Sequence, residues 1–225
     1  MIRTDPSGVA FSHFDAERRA KRPTTHRRRA VSTSKSPKSF PDHRSAAAPG
    51  GTILAMLRNA TVRARRPEEV DECVAMLELV HAADGYPSRL PEDPRRWLTP
   101  ADTVGAWVAA DPGGLSGHVA LHRPTGDAES SWVCTTAGLP PEGTALVARL
   151  FVAPRARGMG VGVALLRAVV REASARGLRA ALAVTDGDRA AMALYERCGW
   201  QHVGKTPWSW SGGGSIVLHC YLASD

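Results

Sequence analysis

This chain is short of thiols in any useful pattern. Its four cysteines fall at positions 73, 134, 198 and 220, and no two make a C-x-x-C pair. That spacing excludes a zinc signature and a disulfide framework, and it implies a reducing compartment, the cytoplasm. Long apolar runs are missing as well. None approaches the ~18 residues that span a bilayer, so no membrane segment is expected. Lysine is almost absent beyond residue 50, where Lys205 stands alone beside 17 arginines. Those 18 cations are matched by 18 acidic residues, so residues 51–225 carry no net charge. A nucleic-acid-binding body needs a basic excess, and this one has none. No internal repeat is visible.

The chain's net charge of +7 belongs to its beginning, where residues 1–50 hold 11 Lys and Arg against 4 Asp and Glu. "RRAKRPTTHRRRAVSTSKSPKSFPDHRSAAAPGG" is poor in periodic apolar residues and cannot bury enough surface to offset ordering entropy. Residues 1–55 therefore read as a disordered basic extension, and residues 61–225 as one folded domain. Three roles for the extension stay open. It has no fold role, with Met56 as an alternative start. It is an electrostatic arm for nucleic acid or other polyanions. Or it is an Arg- and Ser-rich transit peptide, against which Asp5, Asp15 and Glu17 argue.

From Thr61 the pattern becomes regular. "TVRAR" predicts a short strand. Pro67, Glu68 and Glu69 then open a helix over 68–82, with Val70, Cys73, Val74 and Leu77 at helical spacing. A short helix is expected at 94–98. Strands at 103–110 and 115–123 flank "DPGG", a hairpin turn. Residues 124–143 read as a long irregular connection. A strand at 144–152 leads into "APRARGMGVG" and then the strongest helical pattern, with Leu165, Leu166, Val169 and Ala173 on one face. A strand at 179–184, a helix at 188–200 capped by Asp188, and strands at 200–204 and 215–222 complete the order. The Trp- and Gly-rich stretch 205–214 reads as a loop.

The stretch "LFVAPRARGMGVG" places glycines 158, 160 and 162 where a strand meets a helix N-terminus. Such a junction gathers unpaired N–H groups and the positive end of the helix dipole, which suits an anion. Glycines let a ligand approach the backbone. Arg155 and Arg157 add forked donors for phosphate oxygens. The glycine spacing fails the dinucleotide fingerprint, because Val163 stands where its third glycine belongs, and no acidic residue follows at the right distance. The Walker ending G-K-[ST] is missing too.

"VAPRARGMGVGVALL" resembles the acetyl-CoA-binding motif of the GCN5-related N-acetyltransferase (GNAT) family, matching at Arg155, Gly158 and Gly160. "AAMALYERCGW" is similar to the family's second signature at Ala191, Leu194, Tyr195, Gly199 and Trp200, with Asp188 where Asn is usual. The resemblance implies an α/β fold: a mixed, largely antiparallel sheet of six to seven strands with helices on both faces. It implies acetyl-CoA as co-substrate and no metal. Leu150, Phe151 and Val152 would pair with the pantetheine arm. The amides of Arg157, Gly158, Met159, Gly160, Val161 and Gly162 would hold the pyrophosphate, with Arg155 beside them.

By the same resemblance, Tyr195 is the general acid that protonates the departing thiolate, and N–H groups near Val152 stabilise the oxyanion. A tyrosine is mostly protonated at neutral pH. The base stays open among His118, His122 and Glu142. The two histidines lie four residues apart on one strand face. Glu142 precedes the core strand, and Asp84 lies where the family shapes its acceptor pocket. That pocket is expected from residues 83–98, 123–143 and 205–214, with Tyr86, Trp97, Trp132, Trp208 and Trp210 as walls and Arg95 and Arg96 toward an acidic group. The acceptor is then a primary amine of a small molecule or peptide, served by a monomer or homodimer. Acetylation of a protein N-terminus or lysine, and a non-catalytic acyl-CoA-binding module, are the alternatives.

Overall fold

In a computed structural model of the chain, residues 60–209 and 215–224 are described. The basic extension and Trp210 lie outside them.

Seven strands form one sheet in the order β1-β2-β3-β4-β5-β7-β6. They are β1 (Thr61–Ala64), β2 (Thr103–Asp111), β3 (Gly114–His122), β4 (Thr144–Val152), β5 (Arg179–Thr185), β6 (Gln201–Ser209) and β7 (Ser215–Leu222). The helices are α1 (Val70–Asp84), α2 (Pro94–Leu98), α3 (Ala128–Ala137), α4 (Val161–Ala175) and α5 (Arg189–Arg197). Every strand pairing is antiparallel except β4 with β5. No described helix is long and apolar enough to cross a membrane.

Alternation along the strands divides the core between the two faces. Trp107, Ala109, Ala180 and Leu182 point to the face covered by α4, where they meet its buried Leu165, Leu166 and Val169. Val108 and Phe151 point the other way, to Leu77 and Leu98 of α1 and α2. Beside that layer, Val133 of α3 packs on Ala181, Cys220 and Leu222. Each fully buried Val or Leu contributes about 1.5–3 kcal/mol of hydrophobic stabilisation. Gly117 lets α4 approach closely, because a Cβ there would stand 2.8 Å from a Leu165 methyl and 2.9 Å from one of Val161.

Three expectations need correction. Residues 124–143 are not irregular throughout, since they hold the ten-residue α3. Its start is fixed by Asp127, which accepts from the amides of Glu129 and Ser130, and Gly138 closes it in the left-handed region. Ser, Thr and Cys dilute its apolar pattern, which hid the helix. The final strand pair is longer than expected, because β6 runs through Lys205 to Ser209 where a loop was read. Asp188 precedes α5, but its side chain makes no capping bond.

The feature that positions the site is a splay. β4 and β5 pair only from Thr144 to Leu146, opposite Arg179 to Ala181. Beyond that point the strands diverge. β4 also carries an irregularity, a register shift against β3 between His118 and Ala120. Arg149 lies there with φ +55°, the only positive φ of a non-glycine among the described residues.

Candidate active site

The largest cavity, about 800 Å3, opens where β4 runs into α4. Gly158, Gly160, Val161 and Gly162 form one side, and Leu150, Phe151 and Val152 form the floor. α5 supplies Ala190, Ala191 and Leu194 opposite, and the end of α1 supplies Asp84. Gly158 (φ +72°) and Gly160 (φ +82°) adopt left-handed backbone, which an L side chain reaches only at a cost of about 1–2 kcal/mol. This turn delivers the first amides of α4 to the cavity wall, with nothing crowding the glycine α-carbons.

The two arginines of the stretch go different ways. Arg157 lines the cavity, donating to Asp84 Oδ1 at 2.7 Å. Arg155 does not line it. Its Nη1 contacts both Asp111 oxygens (3.1 and 2.9 Å), and its Nη2 reaches the carbonyls of Gly113, Gly114 and Leu115. Arg155 thus ties the turn to the β2–β3 hairpin. Met159 is exposed and also lies off the cavity wall.

From this cavity a narrow passage of about 30 Å3 follows the splay. Tyr86, Leu150 and Asp188 border both spaces. Tyr195 lines the passage from α5 and packs against Trp200 and Tyr221, with ring centroids 5.9 and 5.6 Å away. Burial pushes its hydroxyl pKa above the ordinary tyrosine value, so it is protonated at neutral pH.

The passage shares Val147, Ala148, Arg149 and Ala183 with a third space, about 90 Å3, beneath α3. Glu129, Asp102 and His122 also line it. Burial, and secondarily the nearby Asp127 charge, push the Glu129 carboxyl up to about 7.

None of the three expected bases lies in the passage. His118 is fully buried and stacked on Phe151, with ring centroids 5.1 Å apart. Arg65 donates to its Nε2 (3.0 Å), so its Nδ1–H donates to the Arg149 carbonyl (3.0 Å). Both nitrogens are occupied, and burial lowers the pKa to about 3. His122 accepts from Arg149 Nη1 at 2.5 Å, and its pKa is likewise lowered to about 3 by burial. It lines the space beneath α3 but has no lone pair left for a substrate. Glu142 is exposed in the turn before β4, and its carbonyl accepts from Arg123.

Other expected wall residues are dispersed. Trp97 is buried, its ring 5.0 Å from the Arg149 guanidinium carbon. Trp132 packs with the core under α3, and Trp208 lies on β6. Arg95 pairs with Asp71, and Asp84 belongs to the large cavity. Sequence reasoning missed Arg149 and Glu129. One signal was present for the first: a lone arginine inside the apolar run "LVARLFV". Among the described residues, no cluster of His, Cys, Asp and Glu could hold a metal ion.

Known proteins share this architecture. An N-acetyltransferase from Staphylococcus aureus Mu50 superposes with a TM-score of 0.55 at 16% identity, over 73% of this chain and 97% of its own. A ribosomal-protein-alanine N-acetyltransferase from Brucella melitensis gives 0.55 at 19%, over 72% and 98%. Arabidopsis thaliana NAA60 in complex with acetyl-CoA gives 0.54 at 19%, over 73% and 97%. At these identities the likeness is one of fold. A comparison with curated protein sequences finds no match. A family model, "Acetyltransferase (GNAT) family", matches residues 73–200, more than half of the sequence. With the splayed sheet and the glycine turn at the head of α4, that match makes the chain a member of the GNAT acetyltransferase family.

Proposed function

We propose that the protein is an N-acetyltransferase that moves an acetyl group from acetyl-CoA to a primary amine of a small molecule or peptide by direct attack. One observation carries the reading. The large cavity over the α4 amides adjoins the Tyr195 passage through shared lining residues, and that passage in turn adjoins the space beneath α3. Two substrates can thus meet at the splay from separate spaces.

The α4 N-terminus and Arg157 suit the pyrophosphate of acetyl-CoA. β4 beyond Leu146 has no strand partner on the β5 side, so its main chain can pair with the amides of the pantetheine arm. The thioester then lies at the passage. Attack by an uncharged amine gives a tetrahedral oxyanion, which N–H groups near Val152 stabilise. Tyr195 donates its proton as the thiolate leaves. Arg155 acts indirectly, by holding the turn in place.

Titration calorimetry with acetyl-CoA, joined to free-thiol release over a panel of amines, tests the reading. Micromolar binding and amine-dependent thiol release are expected. A folded protein that binds no acetyl-CoA would overturn it.

A further inference from the structure

We propose that the space beneath α3 is the acceptor site and that it takes a compact α-amino acid, its carboxylate held by Arg149 and its amine deprotonated by Glu129. This rests on the acetyl-transfer reading above and adds the substrate class.

Arg149 is 8% exposed, yet it makes no ion pair among the described residues. Its Nη1 donates to His122 Nε2, and its buried Nε has no partner. The histidine cannot neutralise it, because a nitrogen that accepts from a guanidinium belongs to an uncharged ring. His122 Nδ1 is 3.4 Å from Asp102 Oδ2 and makes no hydrogen bond either. The charges of Asp102 and Glu129 act on it only at a distance, and a buried charge without a direct ion pair is costly unless a ligand supplies one. The position is strained as well, since left-handed backbone at a non-glycine costs about 1–3 kcal/mol. Such strain marks sites where a side chain is aimed for a purpose. Arg149 borders both the passage and the space beneath α3, so an anion on its fork is next to the thioester.

The second charge is Glu129. It lines the same space, and its carboxylate has neither an ion pair nor a hydrogen bond among the described residues. Of the other acids there, Asp127 caps α3 and accepts from Ser130, whereas Asp102 stands 3.4 Å from the uncharged His122 ring without a hydrogen bond to it. Arg123 donates to the Glu142 carbonyl. Arg149 is thus a deeply buried cation and Glu129 a carboxylate without a hydrogen bond in one small space, and the two do not pair with each other. A ligand with both charges matches that arrangement. The volume of about 90 Å3 is well below the ~300–1,000 Å3 of sites for drug-sized ligands. It fits a few heavy atoms, which favours a small amino acid over a long polyamine.

The chemistry balances. The ammonium gives one proton to Glu129, directly or through one water. The neutral nitrogen attacks the thioester carbon, the C–N bond forms and the C–S bond breaks. Tyr195 protonates the thiolate and regains a proton from the acylated nitrogen. A glutamate pushed toward neutral pH is matched to this task.

The test compares glycine and L-alanine with glycinamide, ethylamine and putrescine on the full chain, read as thiol release. The amino acids are expected to have kcat/KM at least about tenfold above the amide and the plain amines. Arg149→Gln is expected to bring that ratio near one, and Arg149→Lys to restore part of it. Should the glutamine variant not fold, the wild-type ratio alone decides. Equal or better use of glycinamide, ethylamine or putrescine overturns the proposal. So does acetyl-CoA binding without turnover of any of these amines, which leaves the cofactor reading standing. Failure to bind acetyl-CoA instead removes the transfer reading beneath it.

Discussion

The two main spaces at the splay are built from different materials. The larger is walled on one side by the glycine turn and main chain between β4 and α4, two consecutive elements, and is closed by α5 and the end of α1. The smaller draws its polar side chains from several separate segments, with Asp102 before β2, His122 on β3, Arg149 on β4 and Glu129 on α3, over an apolar base from β4 and β5. A nucleotide-bearing cofactor is the same molecule in every cycle and can be gripped through backbone amides and a helix end. An acceptor must be told apart from other amines, and that takes side chains whose charges are not already spent. The difference predicts that changes on one side alter cofactor affinity, and changes on the other alter turnover and selectivity.

The sharpest break between them is Tyr195→Phe. It removes the hydroxyl proposed as proton donor at the passage and leaves the glycine turn intact. kcat is expected to fall about 10²-fold with acetyl-CoA affinity nearly unchanged. An unaltered kcat would refute the assigned role. Gly160→Val does the opposite. A β-branched residue resists φ +82°, so acetyl-CoA affinity should fall about tenfold or more in calorimetry, an effect of about 1.4 kcal/mol.

Within the cofactor side, Arg157 and Arg155 should separate. Arg157→Ala is expected to weaken acetyl-CoA binding severalfold. Arg155→Ala should leave that affinity close to wild type and lower the melting temperature, because it strands the Asp111 carboxylate at a cost of about 1–3 kcal/mol. Equal losses of affinity would mean that both arginines contact the cofactor.

The smallest effect concerns stability. Glu129 is raised in the fold, so its contribution is fully present below the ordinary carboxylate pKa and is lost as pH rises through about 7. Asp127 raises this carboxyl and Arg149 lowers it, with Asp102, His122 and Arg123 around the same space. Glu129→Gln should therefore melt a few degrees higher than wild type at pH 8, and nearly level with it at pH 4.5. Thermal scans at both pH values check this.

The same contrast explains what was legible in the sequence. The strand-to-helix turn is local, so Gly158, Gly160 and Gly162 could be read from thirteen consecutive residues together with the apolar face of α4. The succession of strands along the chain, though not their order in the sheet, followed from alternation and turn chemistry. The pairing of Arg155 with Asp111 left no local signal, because that partner is 44 residues away across the sheet. His118 and His122 share a strand face as expected, but their nitrogens are taken by Arg65 and Arg149, which no spacing reveals. Glu129 was missed with α3 itself, whose weak amphipathic pattern hid a helix set by one capping aspartate. Side-chain sites assembled from distant segments leave little local trace.

The central claim is tested most directly by mass spectrometry of a reaction holding the full chain, acetyl-CoA and glycine or L-alanine. The account predicts N-acetylated amino acid and free CoA in equal amounts, both lost in Tyr195→Phe. Acetyl-CoA left unconsumed by the folded protein, or CoA released without an acetylated amine, would contradict it.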